Sequence, residues 1–232
     1  HITPSPFLGT AVMAPTALVA SGGNHDDLLA EIAAGTHRVG IAFSEAIKRR
    51  NDARVEARDS RLFGKSLFAF DADANSYLVA DQNKHLYLVA AQDPGLTRTH
   101  LTTVDKTRRT VELTYDDVAA QCISTDVGVF ERVLDIGRVA IAADTLGAAQ
   151  NMLDQAVEYA KQREQFNRPI GSFQAVKHMC AEMAAQLEPC RSMVWFAGHA
   201  LAELPEEARV TACHTKAHLA EVAQFVAKTA TE

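Results

Sequence analysis

The sequence predicts an α+β fold, with helices at both ends of the chain and a small β domain between them. Apolar and small residues recur at helical spacing from 138 to 160. Between residues 39 and 115 the apolar runs are short, contain β-branched or aromatic side chains, and are bounded by Asp, Asn, Gly or Pro. Segregation of helices from strands is typical of this class, and 232 residues with 47% hydrophobic content can bury a sizeable core.

The first 39 residues are predicted to form an amino-terminal helical segment. Apolar side chains could line one helix face before Gly22 and Gly23 interrupt the pattern. Asp26 and Asp27 then open a second helix, because acidic side chains stabilise the positive end of a helix dipole.

Residues 40–122 are predicted to form a small antiparallel, β-barrel-like domain. The runs that indicate strands are 39–43, 61–70, 77–80, 85–91 and 110–115.

Residues 123–232 are predicted to form an antiparallel bundle of three long helices. The first covers 132–161, the second is capped by Ser172 and reaches Ala202, and the third opens at Pro205. Short connections between long helices favour antiparallel packing.

Composition narrows the classes of function. A formal net charge of -6 argues against nucleic-acid binding, and no apolar run is long enough to insert into a membrane. The four cysteines form no CxxC pair, so we expect reduced, mostly buried thiols and no metal site. No signal-peptide pattern opens the chain, which favours a cytoplasmic protein.

The segment YAKQREQFNRPIGSFQ, between the first two long helices, is the most specific motif in the chain. It resembles the stretch Y-x-x-x-R-x-x-F-G-x-x-[IL]-x-x-x-Q that opens the carboxyl-terminal helical domain of FAD-dependent acyl-CoA dehydrogenases. The matching positions are Tyr159, Arg163, Phe166, Ile170 and Gln174. Asn167 replaces the family glycine, but asparagine tolerates a left-handed backbone, so the turn can survive.

The resemblance implies that FAD is the cofactor. Arg163 would reach the FAD diphosphate of a neighbouring subunit, Gln165 would hydrogen-bond the dinucleotide, Phe166 would pack by the adenine, and Gln174 matches a nearby position. The alternative for Arg163 is a solvated helix-end cation that pairs with Glu158 or Glu164.

A second candidate locus lies in the β domain. Ser44 and Glu45 match the start of the family loop [TS]-E-P-x-A-G-S-D, which contacts flavin and acyl-CoA, but the Pro, Gly and Ser-Asp are absent. The basic run at 48–50 could meet CoA phosphates or form a solvated loop. Phe68 could stack on the isoalloxazine ring, or Phe68 and Phe70 could both be core aromatics.

No catalytic base is visible. The family places its glutamate either in a segment beyond Glu232 or at the position that aligns with Gly137, which has no side chain. Glu131 and Asp135 lie nearby but out of register, so the catalytic residue stays unassigned.

The chain thus resembles a subunit of an acyl-CoA dehydrogenase, similar to actinobacterial heteromeric enzymes that act on steroid side-chain CoA esters. The implied reaction is α,β-dehydrogenation of an acyl-CoA, with a second subunit in a homo- or heterotetramer and an electron-transfer flavoprotein as partners. The alternatives are a catalytically silent structural or regulatory subunit, and an acyl-CoA oxidase-like relative. The family's earlier helices and its glycine-rich flavin segment are not in this sequence, as expected of either a fragment or a reduced subunit.

Overall fold

The computed structural model describes residues 6–48 and 53–232. These residues form two compact units, one of which comprises the described residues up to Leu134 and the other Asp135 to Glu232. The division at 39/40 and 122/123 stays a prediction from the sequence.

The amino-terminal helices occur where the sequence predicts them. A π-helical turn over Phe7–Met13 leads into α1 (Ala14–Ala20), and α2 covers Asp26–Ala33. A short helix, α3 (Ser44–Ile47), follows the first strand and was not predicted.

Eight strands form one sheet within the described residues of the first unit. They are β1 (Val39–Ala42), β2 (Val55–Arg58), β3 (Arg61–Phe70), β4 (Ser76–Ala80), β5 (Leu86–Ala90), β6 (Leu96–His100), β7 (Thr110–Ala119) and β8 (Gln121–Ser124). The order is β6-β7-β3-β1-β4-β5-β8, and β2 pairs with β3. The five predicted strands are confirmed, whereas β2, β6 and β8 were missed.

One pair departs from the predicted antiparallel arrangement. Strands β1 and β4 are parallel, with Val39 opposite Ser76 and Ala42 opposite Val79. Parallel pairing requires a long crossover, and the chain supplies one because α3, β2 and β3 lie between the two strands.

Apolar side chains cover both faces of the sheet. Along β4, Tyr77 and Val79 belong to a cluster with Leu62 and Leu113, whereas Leu78 and Ala80 face α1 residues such as Leu18. Successive strand residues point to opposite faces, so β4 is buried along its whole length.

Three long helices dominate the carboxyl-terminal part, as predicted. They are α4 (Val127–Gln162), α5 (Gln174–Glu203) and α6 (Pro205–Thr229). A core of Leu153, Met183, Leu187 and Leu219 joins them. The prediction that Ser172 caps α5 is wrong, because Ser172 lies in a 3-10 turn, Ile170–Ser172, and α5 begins without a side-chain cap.

A tight reversal separates α4 from α5. Two-residue strands β9 (Glu164–Gln165) and β10 (Arg168–Pro169) pair across a turn in which Phe166 has φ of 55° and Asn167 has φ of 62°. Both values are left-handed, as a two-residue type I′ hairpin turn requires. The predicted left-handed backbone at Asn167 is confirmed.

Gly171 lets the returning chain pass close to the end of α4. A Cβ atom at this position would lie 2.9 Å from the carbonyl oxygen of Ala160. The reversal is closed by a 2.8 Å hydrogen bond from the Ile170 N–H to the Arg163 carbonyl oxygen.

We expect Gly64→Ala to lower the free energy of unfolding by about 2 kcal/mol or more, because strained backbone conformations cost about 1–3 kcal/mol before any clash is counted. Gly64 has φ of 107°, and an added Cβ would lie 2.1 Å from the Arg54 carbonyl oxygen. Urea unfolding followed by circular dichroism measures the loss. The control is Gly198→Ala on α5, where a Cβ meets nothing within 4 Å. Equal midpoints for the two variants would contradict the prediction.

We expect Asn167→Ala to speed hydrogen exchange of the Ile170 amide about 5-fold, because alanine tolerates left-handed backbone less well than asparagine by about 1 kcal/mol. Asn167→Gly is the matched control, since glycine adopts this conformation freely. Amide exchange measured on both variants tests the prediction, which fails if the alanine variant exchanges at the wild-type rate.

Candidate functional site

The reversal between α4 and α5 brings four of the six predicted site residues together. Arg163, Gln165 and Phe166 lie on the hairpin, and Gln174 is the first residue of α5. Arg163 is held at the end of α4 by a 2.8 Å hydrogen bond from its N–H to the Tyr159 carbonyl oxygen. These four residues lie within twelve consecutive positions of the chain, so the turn alone brings them together.

Arg163 is exposed, and no carboxylate pairs with it in the described parts of the chain. Glu158 is engaged by Lys161 instead, with a 2.6 Å distance from Nζ to Oε1. The alternative prediction of an ion pair with Glu158 or Glu164 is therefore wrong. The guanidinium keeps its donors available to an anion, for which its fork of N–H groups is suited.

Two aromatic rings lie on the same reversal. The Phe166 side chain is 86% exposed, and its ring meets Phe173 edge to face with centroids 6.0 Å apart. The Arg168 guanidinium carbon lies 4.0 Å from the centroid of the Phe173 ring. Arg168 and Phe173 were not singled out from the sequence, and the motif spacing gave no sign that they stack.

Gln174 is exposed and turned towards its own helix. Its Nε2 atom lies 3.4 Å from Nε2 of His178, one helical turn further along α5. Gln165 is exposed as well. Both amides are therefore accessible to a ligand at the reversal.

These groups fit the chemistry of a flavin dinucleotide. A diphosphate requires a cation with several donors, which Arg163 offers without a competing acid among the described residues. An adenine ring requires an accessible apolar face, which the exposed ring of Phe166 offers. Arg163, Gln165, Phe166 and Gln174 thus supply a cation, two amides and an aromatic ring, which are binding groups and not acids or bases.

The second predicted locus lies in the other unit, where α3 meets β3. Ser44 donates a 2.6 Å hydrogen bond from Oγ to Oε2 of Glu45, and the Leu67 N–H donates to Oε1 of the same carboxylate at 3.0 Å. Glu45 is buried, although a carboxylate is costly to bury unless it is hydrogen-bonded. The bond from the Leu67 N–H thus ties α3 to β3, the strand that carries Phe68.

Phe68 and Phe70 are not core residues. Their side chains are 48% and 41% exposed, so the alternative that both are core aromatics is wrong. The register of β3 against β7 shifts between Ser66 and Ala69, which places Phe68 at an irregularity of the sheet. An exposed ring at this point can stack against a planar ligand.

Tyr115 lies behind this locus, fully buried in the sheet. Its hydroxyl donates a 3.2 Å hydrogen bond to Oγ of Ser66. Burial raises the pKa of the Tyr115 phenol far above its ordinary value, and the nearby charge of Glu45 raises it further. Tyr115 is therefore a neutral structural donor.

The basic run after α3 falls mostly outside the described residues. Lys48 follows α3 directly, and Arg49 and Arg50 lie in the part that is left undescribed. The choice between CoA-phosphate binding and a solvated loop stays a prediction.

The acidic residues near the position expected for the catalytic base each form an ion pair. Gly137 is buried within α4. Glu131 pairs with Lys84 at 3.1 Å, and Asp135 pairs with Arg138. A general base is identified by its reach to the proton that it removes, and no contact in the described chain gives either carboxylate such a position, so the catalytic residue is unassigned.

The described residues contain no group of three or more His, Cys, Asp or Glu side chains that could hold a metal ion. No described helix combines the length and the apolar character needed to cross a membrane. All four cysteines are free, but Cys122 and Cys213 are exposed, so the expectation of mostly buried thiols is wrong for half of them.

Residues 127–232 match the family model "Acyl-CoA dehydrogenase, C-terminal domain". Acyl-CoA dehydrogenase IpdE2 of Mycobacterium tuberculosis is 39% identical over 119 residues, which cover 49% of this chain and 36% of the relative. Acyl-CoA dehydrogenase FadE34 of the same organism is 57% identical over 58 residues, which cover 25% of this chain and 8% of the relative.

Solved structures match most of the chain. Glutaryl-CoA dehydrogenase from Mycobacterium smegmatis superposes with a TM-score of 0.82 at 24% identity, covering 97% of this chain and 62% of that protein. The steroid ACAD Tcur3481-Tcur3483 superposes with a TM-score of 0.75 at 26% identity, covering 93% of this chain and 63% of that protein.

The chain spans less than two thirds of the length of each of these proteins. The family model lies on the helices that flank the reversal, and the structural matches extend the likeness over the β domain. The fold, the motif at the reversal and the relatives agree in their likeness to acyl-CoA dehydrogenases, and residues 127–232 match the carboxyl-terminal domain of that family.

Proposed function

We propose that the chain is a subunit of an FAD-dependent acyl-CoA dehydrogenase and that its reversal binds the dinucleotide of an adjoining subunit. One observation carries the proposal: the exposed Arg163, without a carboxylate partner in the described chain, and the exposed ring of Phe166 lie on the same short reversal. FAD, when bound, supplies the hydride acceptor for α,β-dehydrogenation of an acyl-CoA thioester.

The roles follow from the side chains. Arg163 would donate to diphosphate oxygens, and Phe166 would pack against the adenine. Gln165 and Gln174 offer amides that can hydrogen-bond the remaining polar groups of the dinucleotide. Because these side chains are exposed, a ligand they hold needs a second wall, which an adjoining subunit would supply.

The proposed substrate is an acyl-CoA, with a steroid side-chain CoA ester as the specific candidate. Support comes from the 26% identity to a steroid ACAD over 93% of the chain. A relative that is 44% identical over 64 residues is named caffeyl-CoA reductase-Etf complex subunit CarC, from Acetobacterium woodii. That name supports an electron-transfer flavoprotein as the redox partner.

The two loci favour a heteromeric assembly. The reversal keeps the family motif, whereas the loop at Ser44 and Glu45 lacks the Pro, Gly and Ser-Asp of the flavin loop. The Ser44 hydroxyl also donates its hydrogen bond to the Glu45 carboxylate. A chain with this motif but without the usual flavin loop would complete the flavin site of a partner subunit that has that loop.

A catalytically silent structural subunit is the second candidate, favoured by the ion pairs of Glu131 and Asp135 with cations.

We expect Arg163→Ala in the assembled complex to weaken flavin binding by about 1.5–3 kcal/mol, or about 10- to 150-fold, because hydrogen bonds to charged groups are lost. Titration of the apo complex with FAD, followed by flavin fluorescence, measures the affinity. Lys177→Ala on α5 is the control, since it removes an exposed positive charge from the same unit. Equal flavin affinity in the two variants would rule out the role of Arg163.

We expect the chain purified alone to hold no stoichiometric flavin, and a mixed tetramer with its partner to contain one FAD per two chains. The reason is that the exposed residues of the reversal form only one wall of the proposed site. The visible spectrum and the native mass of both preparations test this. A yellow homomeric preparation with one FAD per chain would identify a self-sufficient dehydrogenase instead.

A further inference from the structure

Arg168, Phe173 and Phe166 form a continuous stack along the reversal. The Arg168 guanidinium carbon lies 4.0 Å from the Phe173 ring centroid, within the range of cation–π attraction. The Phe173 ring meets Phe166 at an interplanar angle of 82° and a centroid distance of 6.0 Å, which is a favoured edge-to-face geometry. Three side chains from β10, the turn and the start of α5 are thereby linked.

Phe166 depends on this stack for its orientation. Its φ of 55° is left-handed, a conformation that bulky residues seldom adopt, and 86% of its side chain is exposed. Within the described chain, Phe173 is the one aromatic ring that lies against it. A ring held from a single side keeps its direction only while that support is itself fixed.

Arg168 provides the fixing contact for Phe173. Phe173 is tethered by the 3.1 Å hydrogen bond from its N–H to the Ile170 carbonyl oxygen, which restrains the backbone but not the ring. The guanidinium over the ring restrains the side chain itself. No carboxylate of the described chain draws Arg168 away from this position. Its Cα is paired with that of Gln165 across the hairpin, so the stack and the turn are mechanically joined.

We propose that Arg168 is a positioning residue, which holds Phe173 so that Phe173 holds the exposed Phe166 ring in the direction in which it meets the adenine of a dinucleotide. The link to the adenine rests on the function proposed above, whereas the stack itself does not. Arg163 supplies the charge for the diphosphate, and Arg168 acts through the two rings.

The first test uses the full chain without added flavin. We expect Arg168→Ala and Phe173→Leu each to speed hydrogen exchange of the peptide covering 163–173 by about 2- to 5-fold, the factor that corresponds to losing one exposed cation–π contact. Phe173→Tyr keeps the ring and should exchange as the wild type does. Lys177→Ala removes a nearby charge outside the stack and should also leave exchange unchanged. Wild-type exchange in the Arg168→Ala variant overturns the proposal.

The second test is a double-mutant cycle on FAD affinity in the assembled complex. We expect Arg168→Ala and Phe173→Leu each to weaken FAD binding about 2- to 5-fold, and the double variant to bind no more weakly than Phe173→Leu alone, because that variant already lacks the ring on which Arg168 acts. Additive losses would mean that Arg168 contacts the dinucleotide itself, and unchanged affinity would mean that the stack is only structural; either result overturns the positioning role.

The two tests separate this proposal from the one on which it rests. If Arg163→Ala leaves FAD affinity unchanged, the proposed dinucleotide site is wrong, yet the exchange experiment still decides whether Arg168 fixes the rings. If Arg163→Ala abolishes binding while Arg168→Ala has no effect on either readout, the site stands and the positioning role fails.

Discussion

The hydrogen bond that closes the reversal after α4 is the constraint on which the candidate site depends. It joins the Ile170 N–H to the Arg163 carbonyl oxygen, and the chain between these residues turns through Phe166 and Asn167, which both have left-handed backbone. For a phenylalanine this conformation costs about 1–2 kcal/mol. An edge-to-face ring pair and a cation–π contact contribute about 0.5–1.5 and 0.5–1 kcal/mol, so the stack with Phe173 offsets the strain. Such strain, held in place by its surroundings, is typical of functional sites.

The sequence predicted the elements with strong local patterns. Long helical periodicity predicted both ends of α5 and the start of α6 to within a residue or two, and β3 was predicted with its observed bounds, Arg61–Phe70. Strand β6 was not predicted because only Leu96 of its five residues is buried, so its sequence lacks the alternation of apolar and polar residues that indicates a strand. The parallel pairing of β1 with β4 was not predicted for a different reason. Strand pairing depends on contacts between residues that are distant in sequence, which local patterns do not show.

The same distinction governs the site. Arg163, Gln165, Phe166 and Gln174 were identified together because a motif of sixteen positions also forms one compact turn. The connection between Glu45 and Leu67 could not be seen from the sequence, because it joins residues 22 positions apart through a buried carboxylate. Arg168 was overlooked since its partner ring becomes a neighbour only after the 3-10 turn redirects the chain.

The exposure of Arg163 favours a flavin site that is shared between two subunits. In water a cation and a phosphate attract each other weakly, and exposed ion pairs contribute only about 0–1 kcal/mol. The same contact grows stronger when water is excluded, because the effective dielectric constant falls and charge-assisted hydrogen bonds are no longer exchanged with solvent. An arginine left exposed without a carboxylate partner in the described chain thus costs little in the isolated subunit, and contributes binding energy once another surface closes over the ligand. On this physical ground the reversal suits a site shared between subunits better than a site that one chain completes alone.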